Sequence, residues 1–213
     1  MKGRAARVIS AALLLAGACG APRSAAADDG AYGRLDGDLD LSIGAGAGVA
    51  AGSPVLAARG SAVYVAMTGL YLGYADALGQ TDARIDRSIA AGVTLKPLFW
   101  GRFANVLEGG PARLDLFIDS LVFELGAFWA APRDRGLQAE PGMEIAIGLG
   151  FPILADATGP FIEVRAALRY HREDLTGLAP YDVLDRGGML TVTLAWHHIV
   201  AAHIADAGDR LTR

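Results

Sequence analysis

Four histidines stand in this chain of 213 residues, and two of them are adjacent: Gly188-Met189-Leu190-Thr191-Val192-Thr193-Leu194-Ala195-Trp196-His197-His198-Ile199-Val200. A tandem pair invites metal or acid–base chemistry. Neighbouring residues of a strand point to opposite faces, so His197 and His198 cannot share one ion. If the chain turned helical after Trp196, His203 would lie five residues past His198 and off its face too. Hydrolytic chemistry needs a nucleophile, a base within reach of it and a third group to orient the base. The available set is Ser120, His171, His197 or His198, and Asp174, scattered over three segments with no spacing that joins them. No catalytic, cofactor-binding or metal-ligating residue is therefore assigned.

Two other groups carry chemical potential. Gly44-Ala45-Gly46-Ala47-Gly48 follows a strand pattern, but a dinucleotide loop needs a helix opening at the glycines and a βαβ unit after it, and neither is present. Glycines alternating along a barrel strand instead leave room for large side chains from neighbouring strands. The second group is the row Glu163, Arg165, Arg169 and His171, four ionisable residues on one face of one segment. With Glu144 it forms a candidate polar network inside a closed lumen, and Asp115, Asp119 and Glu124 are further acids that could pair with it. Buried charges are tolerated only when paired, so a salt-bridged core is expected rather than a pore.

The element that would position that row is a strand with one apolar face. Phe161 to His171 sets Ile162, Val164, Ala166, Leu168 and Tyr170 against the charged side. The same alternation runs through Asp38 to Val49, Arg84 to Leu95, Met143 to Ile153 and Met189 to His198. Leu56 to Tyr74 is apolar on both faces, with Tyr64, Tyr71 and Tyr74 expected at an interfacial belt. Leu114 to Trp129 alternates and then changes phase, which a β-bulge near Asp119-Ser120 would explain. These are seven strands. An eighth is expected where Leu56 to Tyr74 bends or within Arg172 to Gly187, because bacterial single-chain barrels have even strand numbers.

Turn-rich punctuation falls at Gly52-Ser53-Pro54, 78–82, 156–160 and 186–188. The longer connections are 97–112, 131–142 and 172–187, and long loops are expected on one rim with short turns on the other. Within the first, residues 99–108 read as a short amphipathic helix ending at Gly109. Phe99, Trp100, Phe103, Val106 and Leu107 would rest on the membrane interface or plug the rim.

The N-terminal residues 1–27 have the layout of a secretory signal: Lys2, Arg4 and Arg7, an apolar run from Val8 to Ala18, then small residues up to Ala25-Ala26-Ala27. Ala16-Gly17-Ala18-Cys19 resembles a bacterial lipobox with alanine where leucine is usual, so Cys19, the single cysteine, is a candidate for lipidation if it is not removed. Residues 28–213 are then one domain. A net charge of −4 argues against a nucleic-acid partner. Apolar residues make up 53% of the chain, mean hydropathy is +0.33, and no helix-like span is long enough to cross a bilayer. A greasy exported chain of this kind is accommodated by a closed barrel with its apolar side chains turned to lipid.

In signal, strand alternation and aromatic placement the chain resembles the small outer-membrane β-barrels of Gram-negative bacteria. The resemblance implies an all-β, closed antiparallel up-and-down barrel of about eight strands in the cell outer membrane. Its partners would be membrane lipid and the barrel insertion machinery, with no cofactor and no defined protein partner. Such barrels usually end on Phe or Trp, whereas here a tail follows from about residue 201. The expected role is structural or interactive, with loops as the recognition surface. The alternatives are an outer-membrane lipid hydrolase or acyltransferase, and a soluble periplasmic barrel holding a hydrophobic ligand.

Overall fold

A computed structural model describes residues 32–78, 85–107, 110–132, 141–170 and 187–202. Eight strands run in chain order: β1 Leu39–Ala50, β2 Ser53–Tyr64, β3 Thr68–Asp76, β4 Ile85–Leu95, β5 Val122–Pro132, β6 Gly142–Pro152, β7 Gly159–Tyr170 and β8 Gly187–Val200. Each pairs antiparallel with its neighbour in sequence, and β8 returns to β1, so the sheet closes into an up-and-down barrel. Two short helices, α1 Leu98–Ala104 and α2 Ala112–Asp119, stand between β4 and β5. Strands of 9 to 14 residues reach or exceed the ~9–11 that a tilted strand needs to cross a bilayer core.

The alternation read from the sequence sets the two faces of the wall. Outward are Ile43, Leu70, Leu72, Val93, Leu125, Ile147, Leu168 and Leu194, all exposed. Inward and buried are Asp40, Ser88, Thr94, Glu124, Glu144, Arg165, Arg169, Thr193 and His197. The apolar stripes therefore point away from the lumen, opposite to what a barrel enclosing a hydrophobic ligand requires. Outward aromatics collect toward the two ends of the strands: Tyr64, Phe123, Phe151 and Trp196 on one side, Tyr74, Trp129 and Tyr170 on the other.

The eighth strand comes from Leu56 to Tyr74, which bends at 65–67 into β2 and β3. Val65 and Ala66 take positive φ values of 50° and 51°, a conformation that a β-branched residue adopts only when its surroundings impose it. Here Val65 N–H donates to the Asp38 carbonyl at 2.7 Å, and the Val65 carbonyl accepts the Trp100 indole N–H at 2.6 Å. The turn takes three residues and keeps the phase, so odd positions face inward on both strands: Tyr71 faces the lumen and is not part of a belt, while Tyr64 and Tyr74 face outward. Ala51-Gly52, by contrast, is an ordinary two-residue hairpin turn with φ of 48° and 84°.

Three further expectations are corrected. Leu114 to Ile118 is helical, so the phase change before β5 is a helix-to-strand junction; the register shift of β5 against β4 lies instead between Ile85 and Arg87. α1 stops at Ala104, leaving Val106 and Leu107 beyond it and exposed. The long connections also divide between rims. The rim where β1 begins, here the near rim, carries 65–67, the helical connection 96–121 and 153–158; the far rim carries 51–52 and the joins from β3, β5 and β7.

The glycines of β1 have a different use from the one expected. A Cβ on Gly46 would lie 2.0 Å from the Val192 carbonyl oxygen, and one on Gly48 would lie 2.1 Å from that of Leu190. The space they leave is taken by the backbone of β8, so they permit the close approach at the β1–β8 seam that shuts the barrel.

Candidate functional site

The inward face of six strands and of the residue just past β4 builds one connected chain of charges along the lumen. It starts near the near rim, where Lys96 Nζ donates to Asp40 Oδ2 at 2.8 Å. Asp40 Oδ1 meets His197 Nδ1 at 3.0 Å, and His197 Nε2 meets Glu163 Oε1 at 3.0 Å. Glu163 Oε2 accepts from Arg59 at 3.5 Å, and Arg59 in turn pairs with Glu124 Oε1. Arg165 then bridges Glu124 Oε2 at 2.6 Å and Glu144 Oε1 at 2.5 Å. Arg169 closes the run with Glu144 Oε2 at 2.6 Å and the Ser88 hydroxyl at 2.9 Å.

Glu144 is the most deeply buried member, at 0% exposure. Besides its two arginines it accepts from the Tyr71 hydroxyl at 3.0 Å. The Tyr71 ring also stands 5.4 Å from the Arg165 guanidinium, so the same side chain donates to the anion and stacks against its cation. Paired in this way, ions that would each cost several kcal/mol to bury are tolerable.

Among the residues named from the sequence, Glu144, Glu163, Arg165 and Arg169 meet in this chain, while His171 lies outside the described residues. Glu124 joins them, as expected of an inward acid. Arg59, Asp40, Lys96 and Tyr71 were missed. Arg59 and Tyr71 sit in the segment Leu56 to Tyr74 and share one phase with the buried Val63 and Ala75, but apolar residues on both faces of that segment hide which face is inward.

Asp115 and Asp119 stand on α2 and not on strands. Their spacing of four puts both on one helix face, where they meet Arg102 and Arg34 at the near rim. Arg102 pairs with Asp115, and with Asp119 at 2.8 Å; Arg34 pairs with Asp119. Burial works against the charge of Arg102, and its bonds to Asp115 and Asp119 more than offset this, holding the guanidinium above its ordinary range. Tyr32 donates to Asp115 Oδ2 at 3.2 Å, and the Arg34 guanidinium lies 4.3 Å from the Phe99 ring centre. Phe99, 1% exposed, and Leu116 border the near end of the lumenal cavity. The helical connection is thus a cap, tied to the residues that precede β1 by the Arg34–Asp119 ion pair and the Tyr32–Asp115 hydrogen bond.

Among the described residues the hydrolytic set does not assemble. The Ser120 hydroxyl donates to the Phe117 carbonyl at 2.6 Å and accepts the Gly150 N–H at 2.7 Å. His197 is held between Asp40 and Glu163 inside the lumen, and His198 is exposed on the outer face. His171, Asp174, His203 and Cys19 lie outside the described residues.

No family model matches the chain, and no curated protein matches it. Among solved structures it is similar to the N-terminal β-barrel domain of Pseudomonas aeruginosa OprF, with a TM-score of 0.47 and 11% identity over 75% of this chain and 97% of that one. It is also similar to Neisserial surface protein A (NspA), with a TM-score of 0.38 and 10% identity over 76% of this chain and 96% of that one.

Proposed function

We propose that this protein is an integral outer-membrane β-barrel of a Gram-negative bacterium, with a structural or interactive role and no enzymatic one. The observation that carries the reading is the opposition of the two wall faces. All eight strands turn apolar side chains outward, while paired charges line the lumen. In water that arrangement would leave a continuous apolar belt unsatisfied; in a bilayer the belt meets lipid and the paired charges form the packed interior.

On this reading membrane lipid covers the belt and the insertion machinery delivers the chain, while the far-rim connections supply the recognition surface. Two of the side chains that would serve a hydrolase are held elsewhere: His197 by two carboxylates and Ser120 by the backbone of Phe117 and Gly150. Membrane fractionation followed by gel electrophoresis with and without boiling tests the proposal. The protein is expected in the outer-membrane fraction, with folded and boiled forms of different mobility. Recovery in the soluble fraction, or a single mobility in detergent, would contradict it.

A further inference from the structure

Helix α2 carries two faces that suit different surroundings. At about 100° per residue, Asp115, Leu116 and Asp119 fall on one arc, and Leu114, Phe117 and Ile118 fall on the arc opposite. The first arc turns inward: its acids hold Arg34 and Arg102, and Leu116 packs with Ala157 and Ile199 in a buried cluster. The second is apolar throughout, and Leu114 is half exposed. A surface helix of a water-soluble protein turns its apolar arc inward and its acids to water. α2 does the reverse.

The wall shows what the outer arc adjoins. β5 begins at Val122, opposite Gly148, so Leu149–Pro152 of β6 run on toward the near rim without it. α2 stands where β5 would continue, its C-terminal end pinned by Ser120, whose hydroxyl accepts the Gly150 N–H at 2.7 Å. Phe117 lies against the outward Phe151, with ring centres 4.1 Å apart and planes 26° off parallel. Phe151, Leu149 and Phe123 are all exposed members of the outer wall. The apolar belt thus continues from the strands onto the helix.

Its level is set by the aromatic ends of the strands. From Met143, opposite Tyr170 at the far end, β6 climbs about 20 Å along the barrel axis to Phe151, at ~3.3 Å per residue and a tilt of ~40°. That is close to the ~25 Å apolar band that aromatic girdles flank in membrane barrels, so Phe117 sits near headgroup level. Arg113, exposed and without an ion-pair partner among the described residues, stands one turn before Phe117 on the flank of the same face. A cation there reaches lipid phosphate while its stem lies along the apolar face.

We propose, resting on the bilayer reading of the wall, that α2 is an interfacial helix: Leu114, Phe117 and Ile118 enter the acyl boundary, and Arg113 engages the phosphates of phospholipid headgroups. The cap is then held from two sides, by Arg34 within and by lipid without.

Spin labels locate the helix. Leu114→Cys and, separately, Leu194→Cys on the outer wall of β8 are made in the full chain with Cys19→Ser, labelled with a nitroxide and refolded into vesicles of phosphatidylcholine and phosphatidylglycerol. Collisions with oxygen, which concentrates in lipid, and with a water-soluble nickel chelate place each label. Oxygen is expected to dominate at both positions, with the label at 114 the shallower. Nickel dominating at 114 while oxygen dominates at 194 would overturn the inference and leave the membrane barrel standing. Nickel dominating at 194 would overturn the membrane reading and this inference with it. A label at 114 shielded from both probes would assign the face to a protein partner or a second copy, and so overturn the lipid.

The cation gives a second reading. Arg113→Gln should lower the ratio of seated to unseated α2 about fivefold in phosphatidylglycerol vesicles, and Arg113→Lys should restore it. An unchanged depth at 114 in Arg113→Gln would overturn the headgroup contact. The unsubstituted protein supplies an independent check: a carbene precursor near the headgroup end of the acyl chain should mark Leu114 and Phe117, and adducts on β8 with none on α2 would overturn the inference.

Discussion

Along the lumen the charged side chains stand on alternate positions of six strands, with Lys96 just past β4, and each carboxylate grips cations from other parts of the wall. At the near rim the charges stand on α1, α2 and the residues before β1, and Asp119 alone receives both Arg34 and Arg102. Both clusters neutralise buried acids with arginine. They differ in what encloses them. The lumenal chain lies inside a ladder closed on itself, so it cannot open without separating strands. The near-rim cluster joins a helical connection to the wall through a few side-chain contacts, so it can open while the barrel persists. One kind of bond thus serves as core in the first region and as latch in the second.

The largest effect that would break this contrast is expected at Glu144. Replacing it by alanine leaves Arg165 and Arg169 as uncompensated buried cations and removes the acceptor of Tyr71. The loss should be about 3–5 kcal/mol of global stability, read as a lower denaturant midpoint in detergent micelles with all strands melting together. A loss confined to β6 and β7 would mean that the network is not shared around the wall.

A smaller and local effect is expected at Asp119. Asp119→Asn weakens both arginine contacts of the cap, by about 1–3 kcal/mol. Hydrogen exchange should quicken across residues 98–119 while the amides of β1 and β8 keep their protection. If protection fell equally in β1 and β8, the cap would be part of the core and the distinction would fail. The smallest effect belongs to Ser120→Ala, which removes the acceptor for the Gly150 N–H and should cost about 0.5–1.5 kcal/mol. It is read as faster exchange of that one amide.

The contrast also separates what was legible in the sequence from what was not. The lumenal row Glu163, Arg165 and Arg169 could be read because a period of two sorts side chains onto opposite faces whatever the neighbouring strands do. The cap could not be read in that way. Leu114, Leu116 and Ile118 alternate as a strand would, and only Pro111 and the four-residue spacing of Asp115 and Asp119 hint at a helix. The bend between β2 and β3 was hidden for another reason. Val65-Ala66-Met67 contains no glycine, proline or asparagine, and its positive φ angles are held by Asp38 and Trp100, which are distant in sequence. Tyr71, Arg59 and the pairing of Asp40 with Lys96 were out of reach with it, because each depends on partners that only the closed sheet brings together.

The central claim is that the wall separates lipid outside from paired charge inside, and β8 offers the most direct test. The native protein is reconstituted with lipids carrying a photoactivatable carbene precursor in the acyl chain, irradiated, digested and mapped by mass spectrometry. Adducts are expected on Leu190, Val192 and Leu194 and absent from Thr191, Thr193 and Ala195. Labelling of both sets alike, of the inward set alone, or of neither would contradict the account.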